Sequence, residues 1–244
     1  MIEYFDITAY LEALPKLSKD AIGTEILSEI KLYGKESHKH GAFFWKQGEG
    51  LYLTMRNSCL RISGEAEDYD ELNSFIDFIA PQYILTSEVI SRKLNLPVSE
   101  LGEILCKKSE GFKKNIINSF DVSVFELCEF FKNENMVENP ESLLLDLSYA
   151  NKENLLAYEA LKRGSKIVAA AVAQRITDAS AVISIVAVNK EYRREGLGTK
   201  VLSKLTDKLS GRNIYIFKEK DKNNEFYGKQ GFLYKDNFVT IKRY

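Results

Sequence analysis

Apolar positions recur along the chain with two different spacings. Val201, Leu202, Leu205 and Leu209 share one face of a helix over residues 199–209, and Ser210-Gly211 supplies its stop. The preceding run Ala181-Val-Ile-Ser-Ile-Val-Ala-Val188 and residues 214–217 read as buried strands. Further upstream, 126–132 and 140–149 read as helices, and 155–161 and 166–175 as strands joined by a Lys-Arg-Gly-Ser turn. In the first half, residues 2–5 predict a short strand, and Ile22, Ile26 and Ile30 mark a helix by their spacing. Residues 42–45, 51–55 and 60–62 predict antiparallel strands with turns such as Gly48-Glu-Gly50. A helix over 72–79, introduced by acidic residues, and a strand over 83–86 follow.

Charge changes this picture little. The 244 residues carry 34 Lys and Arg against 35 Asp and Glu. Such a balance sets up no global field toward nucleic acid or membrane, so neither is expected as a partner. The longest apolar runs fall short of a bilayer span, and Met1-Ile-Glu-Tyr-Phe-Asp6 does not read as a signal peptide, so a cytoplasmic location is expected. Cys59, Cys106 and Cys128 are too scattered for a disulfide framework or zinc site and read as reduced thiols.

The chemistry concentrates behind the strand 181–188. Val188-Asn-Lys-Glu-Tyr-Arg-Arg-Glu-Gly-Leu-Gly198 places a basic glycine loop between that strand and a helix N-terminus. Glycines let the backbone approach a ligand, and unpaired N–H groups at the helix start, with the helix dipole, favour an anion. The spacing Arg193-x-x-Gly196-x-Gly198 fits neither a Walker loop nor a dinucleotide fingerprint. It resembles the pyrophosphate loop of the GNAT superfamily of acyl-CoA-dependent N-acyltransferases. Val188, Tyr192 and Arg193 match the usual approach to that loop, whereas Lys190 stands for a proline and Arg194 for a glycine. A second run, Phe226-Tyr-Gly-Lys-Gln-Gly-Phe232, is similar to another signature of the superfamily. The joint match spans roughly residues 165–235.

The resemblance implies an α/β (α+β) fold with a mixed, mostly antiparallel sheet flanked by helices, and acetyl-CoA as co-substrate without a metal. It implies that backbone groups of Val186, Ala187 and Val188 pair with the pantetheine arm. The loop Arg193, Arg194, Glu195, Gly196, Leu197, Gly198 and Thr199 would hold the pyrophosphate. Tyr227 is implied as general acid toward the departing thiolate, and a backbone N–H near Val188 as oxyanion donor. Where many relatives have Asn seven residues before the tyrosine, this chain has Lys220; Asn223 or Asn224 takes over that cofactor contact, with Asn223 preferred. The strand 181–188 holds no carboxylate, and Asp178 and Glu219 are the nearest in sequence, so no base is assigned.

A domain of this kind needs residues 116–244, with its first elements near 117–125. Residues 1–115 echo its element order without its motifs. An internal duplication with a degenerate N-terminal half is expected, and an unrelated accessory α+β domain is the alternative. His38 and His40 read as a solvated turn, the 65–71 acidic cluster as a helix start, and Phe43, Phe44 and Trp45 as packing residues. Lys218, Lys220 and Lys222 read either as neighbours of the cofactor 3′-phosphate or as a charged strand exit. The expected activity is acetyl transfer to a primary amine, on a small molecule or a peptide; a non-catalytic acyl-CoA sensor is the alternative. Oligomeric state is not legible.

Overall fold

The computed structural model describes residues 1–5, 10–113, 115–119 and 121–243, the side chains of 10–12 excepted. Its contacts divide into two compact units. The first comprises Met1–Leu105, Phe217–Lys222 and the stretch from Tyr234 onward; the second comprises Cys106–Ile216 and Asn223–Leu233. The contact units thus differ from the expected division at 115/116: they divide first at 105/106, and two late segments return to the first unit. The reason is strand pairing: the C-terminal strand is hydrogen-bonded inside the first unit.

In the first unit the order is β1 (Ile2–Tyr4), α1 (Tyr10–Leu17), α2 (Ala21–Tyr33), a 3-10 segment (Gly34–His40), β2 (Phe43–Gln47), β3 (Leu51–Arg56) and β4 (Cys59–Gly64). Then come α3 (Tyr69–Ile79), β5 (Tyr83–Ser87), α4 (Glu88–Leu94) and β6 (Glu100–Lys108). Strands β1 to β4 form an antiparallel meander, with Phe43↔Met55 and Leu51↔Gly64 among its pairs. Strand β5 lies parallel to β4, and β11 (Leu233–Lys242) runs antiparallel to β5 from Phe238↔Ser87 to Lys242↔Tyr83. Leu53, Leu60, Ile62, Leu72, Ile76, Ile84, Val239 and Ile241 are buried together between α3 and this sheet.

In the second unit, α5 (Val124–Asn133) and α6 (Pro140–Lys152) precede β7 (Ala157–Arg163), β8 (Lys166–Ile176), β9 (Ser180–Val188), α7 (Leu197–Lys208), β10 (Asn213–Glu219) and α8 (Asn224–Lys229). Its strand order is β10-β9-β8-β7. Helix α5 starts with a capping box in which the Ser123 hydroxyl accepts the Glu126 N–H and the Glu126 carboxylate accepts the Ser123 N–H. Helix α7 buries the four residues whose spacing announced it, Val201, Leu202, Leu205 and Leu209. No regular element occupies the described residues of 117–123. Asn118 instead ties this stretch to β7 through its side chain, donating to Leu156 O at 2.8 Å and accepting from Tyr158 N at 2.9 Å.

The two halves of the sequence repeat one order of elements: two helices, a three-stranded antiparallel meander, a crossover helix, a parallel strand, a short helix and a final strand. In the first unit, parallel pairing of β4 with β5 stops after Arg61↔Leu85. In the second, pairing of β9 with β10 stops after Ile183↔Ile216. No described helix is long and apolar enough to cross a membrane.

Candidate active site

Strand β9 has two different edges. On the β8 side it is paired to its end, with Val172↔Ile185, Ala171↔Val186, Ala170↔Ala187 and Ala169↔Val188. Register shifts around Ala173 leave Gln174 on β8 and Ser184 on β9 as extra residues, the mark of consecutive bulges that bend the strand. On the other edge, the ladder to β10 ends at Ile183. Residues 184–188 therefore offer one edge without a ladder, a template for an extended, amide-containing chain. The three residues Val186, Ala187 and Val188 expected to contact pantetheine lie in this segment.

The loop that follows is built by local hydrogen bonds. Asn189 donates its N–H to Val168 O, accepts Tyr192 N–H on its carbonyl and accepts Glu191 N–H on its side chain, at 2.9, 2.9 and 3.1 Å. These bonds close the one-turn 3-10 segment Lys190–Tyr192. Arg194 (φ 68°) and Gly196 (φ 75°) then adopt left-handed conformations, and Gly196 forms the N-cap of α7. A glycine cap brings no side chain to the first-turn N–H groups, which stay available for an external acceptor. A Cβ on Gly196 would meet no atom within 4 Å, so the space before the cap is open. A Cβ on Gly198 would lie 3.3 Å from Val188 Cγ2 and 3.5 Å from the Phe226 ring, so this glycine permits close packing of strand, loop and α8.

Val188, Arg193, Arg194, Gly196, Leu197, Gly198, Thr199 and Phe226 line one cleft of about 290 Å³. All of the proposed loop contacts except Glu195 thus converge; Glu195 turns away and pairs with Arg163. Phe226 brings α8 to the loop, and the Gln230 amide lies 3.5 Å from the Thr199 hydroxyl. Tyr227 follows Phe226, its ring packed against Phe226 and Phe232 at centroid distances of 5.0 and 6.1 Å. Burial pushes its phenol above the usual tyrosine range, which keeps the proton on the oxygen at neutral pH. Asn223 caps α8 in the left-handed region without a side-chain bond to the helix.

Other sequence candidates fall elsewhere. Asp178 precedes β9, at the strand end roughly 26 Å from Val188 at ~3.3 Å per residue. Glu219 pairs with Lys222, and Lys218 is buried against Glu103. Of the three lysines weighed for a 3′-phosphate, Lys218 and Lys222 are therefore committed to carboxylates. His38 is exposed, and the His40 ring packs at a tilt against Tyr33. No group of three or more potential metal ligands occurs among the described residues. Sequence reasoning passed over Glu134 at the C-cap of α5. Its side chain accepts Asn189 Nδ2–H at 2.6 Å and lies 4.0 Å from Arg193 Nη2.

The first unit handles the corresponding place differently. After β4 the chain runs through Glu65, Ala66, Glu67 and Asp68 into α3. The buried Gln47 side chain accepts the N–H groups of Glu67 and Asp68, and the Asp68 carboxylate accepts those of Asp70 and Glu71. Thr86 Oγ1 donates to Ile62 O where β4 and β5 part. Donors that stay open before α7 are thus filled here by the protein's own oxygens, and the loop is acidic.

Residues 123–232 match the model of the acetyltransferase (GNAT) family. They form a GNAT domain. The fold of the whole chain is similar to a tandem GNAT protein from the clavulanic acid biosynthesis pathway, at 10% identity, TM-score 0.58, covering 98% of this chain and 97% of that one. It is also similar to GCN5-related N-acetyltransferases from Kribbella flavida (11% identity, TM-score 0.59, 98% and 95% covered) and Sphaerobacter thermophilus (12%, 0.58, 98% and 94%). No curated protein has a matching sequence. The matched stretch runs from the capping box of α5 to Phe232, so it includes the open edge of β9, the loop and Tyr227.

Proposed function

We propose that this GNAT domain is an N-acetyltransferase that transfers the acetyl group of acetyl-CoA to a primary amine within a ternary complex. The observation that carries this reading is the continuity of the open β9 edge with an uncapped helix N-terminus. Residues 184–188 present backbone groups to an amide-bearing arm, and the chain then leads through the Arg193–Arg194 loop to the first N–H groups of α7, which would take its diphosphate. The fit is supported by the open space before Gly196 and by the exposed Arg194 guanidinium, which has no acidic partner among the described residues lining the cleft.

Bound there, acetyl-CoA would supply an activated thioester. The chain's part is to orient it, stabilise charge and manage protons. A backbone N–H of the open edge would donate to the thioester oxygen as charge builds on it. The protonated Tyr227 phenol donates to the sulfur as the C–S bond breaks. An alkylammonium of pKa about 10.4 must lose its proton before attack. Since β9 carries no carboxylate, this role is assigned to a water relay rather than to a named side chain. We place one acyl-CoA site on each chain, because the first unit fills its loop donors internally and lines that loop with acid.

Isothermal titration with acetyl-CoA beside the Gly196→Asp variant tests the reading. Saturable binding at one site per chain, lost in the variant, and acetylation of an amine panel are expected. Retained binding in the variant would show that the loop is misassigned. The absence of a carboxylate on β9 favours one second reading, an acyl-CoA sensor, which predicts the same binding without turnover on any amine.

A further inference from the structure

Arg193 and Arg194 adjoin in sequence and are both exposed, but their side chains are partnered differently. Arg193 Nε donates to Val188 O at 3.1 Å, and its Nη2 lies 4.0 Å from Glu134 Oε2. The Glu134 side chain is only 7% exposed, and a carboxylate so placed needs compensating partners. It has two: the amide of Asn189 at 2.6 Å and the guanidinium of Arg193. Asn189 is the same residue whose carbonyl and side chain accept the Tyr192 and Glu191 N–H groups. Glu134 therefore anchors the α5 terminus, the end of β9 and the turn that enters the loop.

Arg194 is exposed, and its side chain makes no hydrogen bond or ion pair to another described residue. Its backbone, at φ 68°, sits where a residue with a Cβ is strained and a glycine is not. Backbone strain of this kind clusters at active sites and ligand clamps.

We propose a division of labour in which Glu134, Asn189 and Arg193 act as positioning residues for the loop, while Arg194 makes the side-chain contact to the diphosphate. The second half of this assignment rests on the acyl-CoA reading above; the first does not. Glu134 fixes Asn189, Asn189 fixes the 190–192 turn, and Arg193 is held back on the strand as counter-ion. Arg194 then carries the free guanidinium beside the open N-terminus of α7, where a phosphate oxygen can take a charge-assisted hydrogen bond.

The test uses the full chain in two measurements. Amide hydrogen exchange without ligand is compared for wild type, Glu134→Ala and Glu134→Gln. In the alanine variant the Glu191 and Tyr192 amides are expected to exchange at least tenfold faster, with α7 and β8 unchanged. The glutamine variant keeps an acceptor for Asn189 and should recover most of the protection. Unchanged exchange at these two amides in Glu134→Ala overturns the positioning role, whether or not any cofactor binds.

Titration with CoA then compares Arg193→Ala and Arg194→Gly. The Arg194→Gly protein is expected to melt at or above the wild-type temperature yet bind CoA at least tenfold more weakly, with a shallower salt dependence. Arg193→Ala is expected to show the Glu134→Ala exchange pattern and a smaller loss of affinity. Equal CoA affinity in Arg194→Gly and wild type overturns the contact assignment. Absence of CoA binding by wild type overturns the acyl-CoA reading and that contact with it, while the exchange result on Glu134 stands.

Discussion

The side-chain carbonyl of Gln47 accepts the backbone N–H of Asp68 at 3.2 Å, and that of Glu67 at 2.9 Å. The amide nitrogen of the same side chain donates to Asp68 O and to the Glu71 carboxylate, at 2.9 and 2.7 Å. Gln47 is fully buried, and its truncation removes four hydrogen bonds that tie β2 to the loop before α3. Each such bond contributes about 0.5–1.5 kcal/mol net. The Gln47→Ala variant should therefore lose roughly 2–4 kcal/mol of stability in urea unfolding. Its stoichiometry for acetyl-CoA should stay at one per chain, because Asp68 still caps α3 and Glu65 and Glu67 keep the loop acidic. A second site in this variant would mean that Gln47 alone stands between the first unit and cofactor binding.

Much of the candidate site was legible in sequence because its parts are local. The glycine loop, the strand before it and the apolar face of α7 occupy one continuous stretch, and the α7 residues are buried as their spacing requires. Helix α7 begins at Leu197, two residues before the apolar face suggests, because the cap is Gly196 rather than a hydroxyl residue. Strand β6 escaped notice for a tertiary reason. Its Gly102 interrupts the pattern, and a Cβ there would fall 2.2 Å from the Phe238 ring and 2.7 Å from Lys218 O. Strand β11 has an exposed first half, Leu233–Asp236, and buried residues only from Phe238 on. Nor could pattern show that this strand pairs with β5, some 150 residues earlier. Glu134 was missed because a lone carboxylate at a helix end carries no motif; only its bond to Asn189 reveals it.

Replacing Tyr227 by Phe removes the phenolic donor while keeping the ring contacts to Phe226 and Phe232. If the phenol protonates the leaving thiolate, turnover should fall on the order of 10²–10⁴-fold with acetyl-CoA affinity nearly unchanged. The raised phenol pKa adds a pH signature. An acid whose pKa lies above the ordinary value of about 10 stays protonated through pH 9, so it should contribute no fall in wild-type rate below that pH. Unchanged turnover in Tyr227→Phe would remove the acid role.

Lys218 tests the boundary between structure and cofactor binding. It is buried, and its ammonium pairs with Glu103, itself largely covered. Removing one partner of a buried pair leaves the other charge uncompensated and costs about 3–5 kcal/mol. Lys218→Ala should show a loss of that order in thermal or urea unfolding. The double variant Lys218→Met, Glu103→Leu should recover much of it, since no charge is stranded. At temperatures where the single variant remains folded, its affinity for acetyl-CoA should match wild type. A selective loss of affinity would return Lys218 to the list of phosphate contacts.

Glu126 offers a prediction about acid stability. Its carboxylate accepts the Ser123 N–H and hydroxyl groups and pairs with Lys162 at 2.9 Å, which holds its pKa down to about 2. The sign follows from linkage: a carboxylate depressed in the folded state contributes stability above its unfolded pKa of about 4.3, and loses it as pH falls toward the folded value. Wild type should therefore lose melting temperature between about pH 5 and pH 2 partly through this group. Glu126→Gln has no charge to protonate, so its melting temperature should start lower at pH 7 and fall less over the same interval. The two curves should converge at the acid end. Because the box begins α5, fluorescence or exchange probes near Phe125 and Phe130 should report the change first. Parallel curves for the two proteins from pH 7 to pH 2 would show that the folded carboxylate titrates as it does in the unfolded chain, and that the capping box and Lys162 do not hold it.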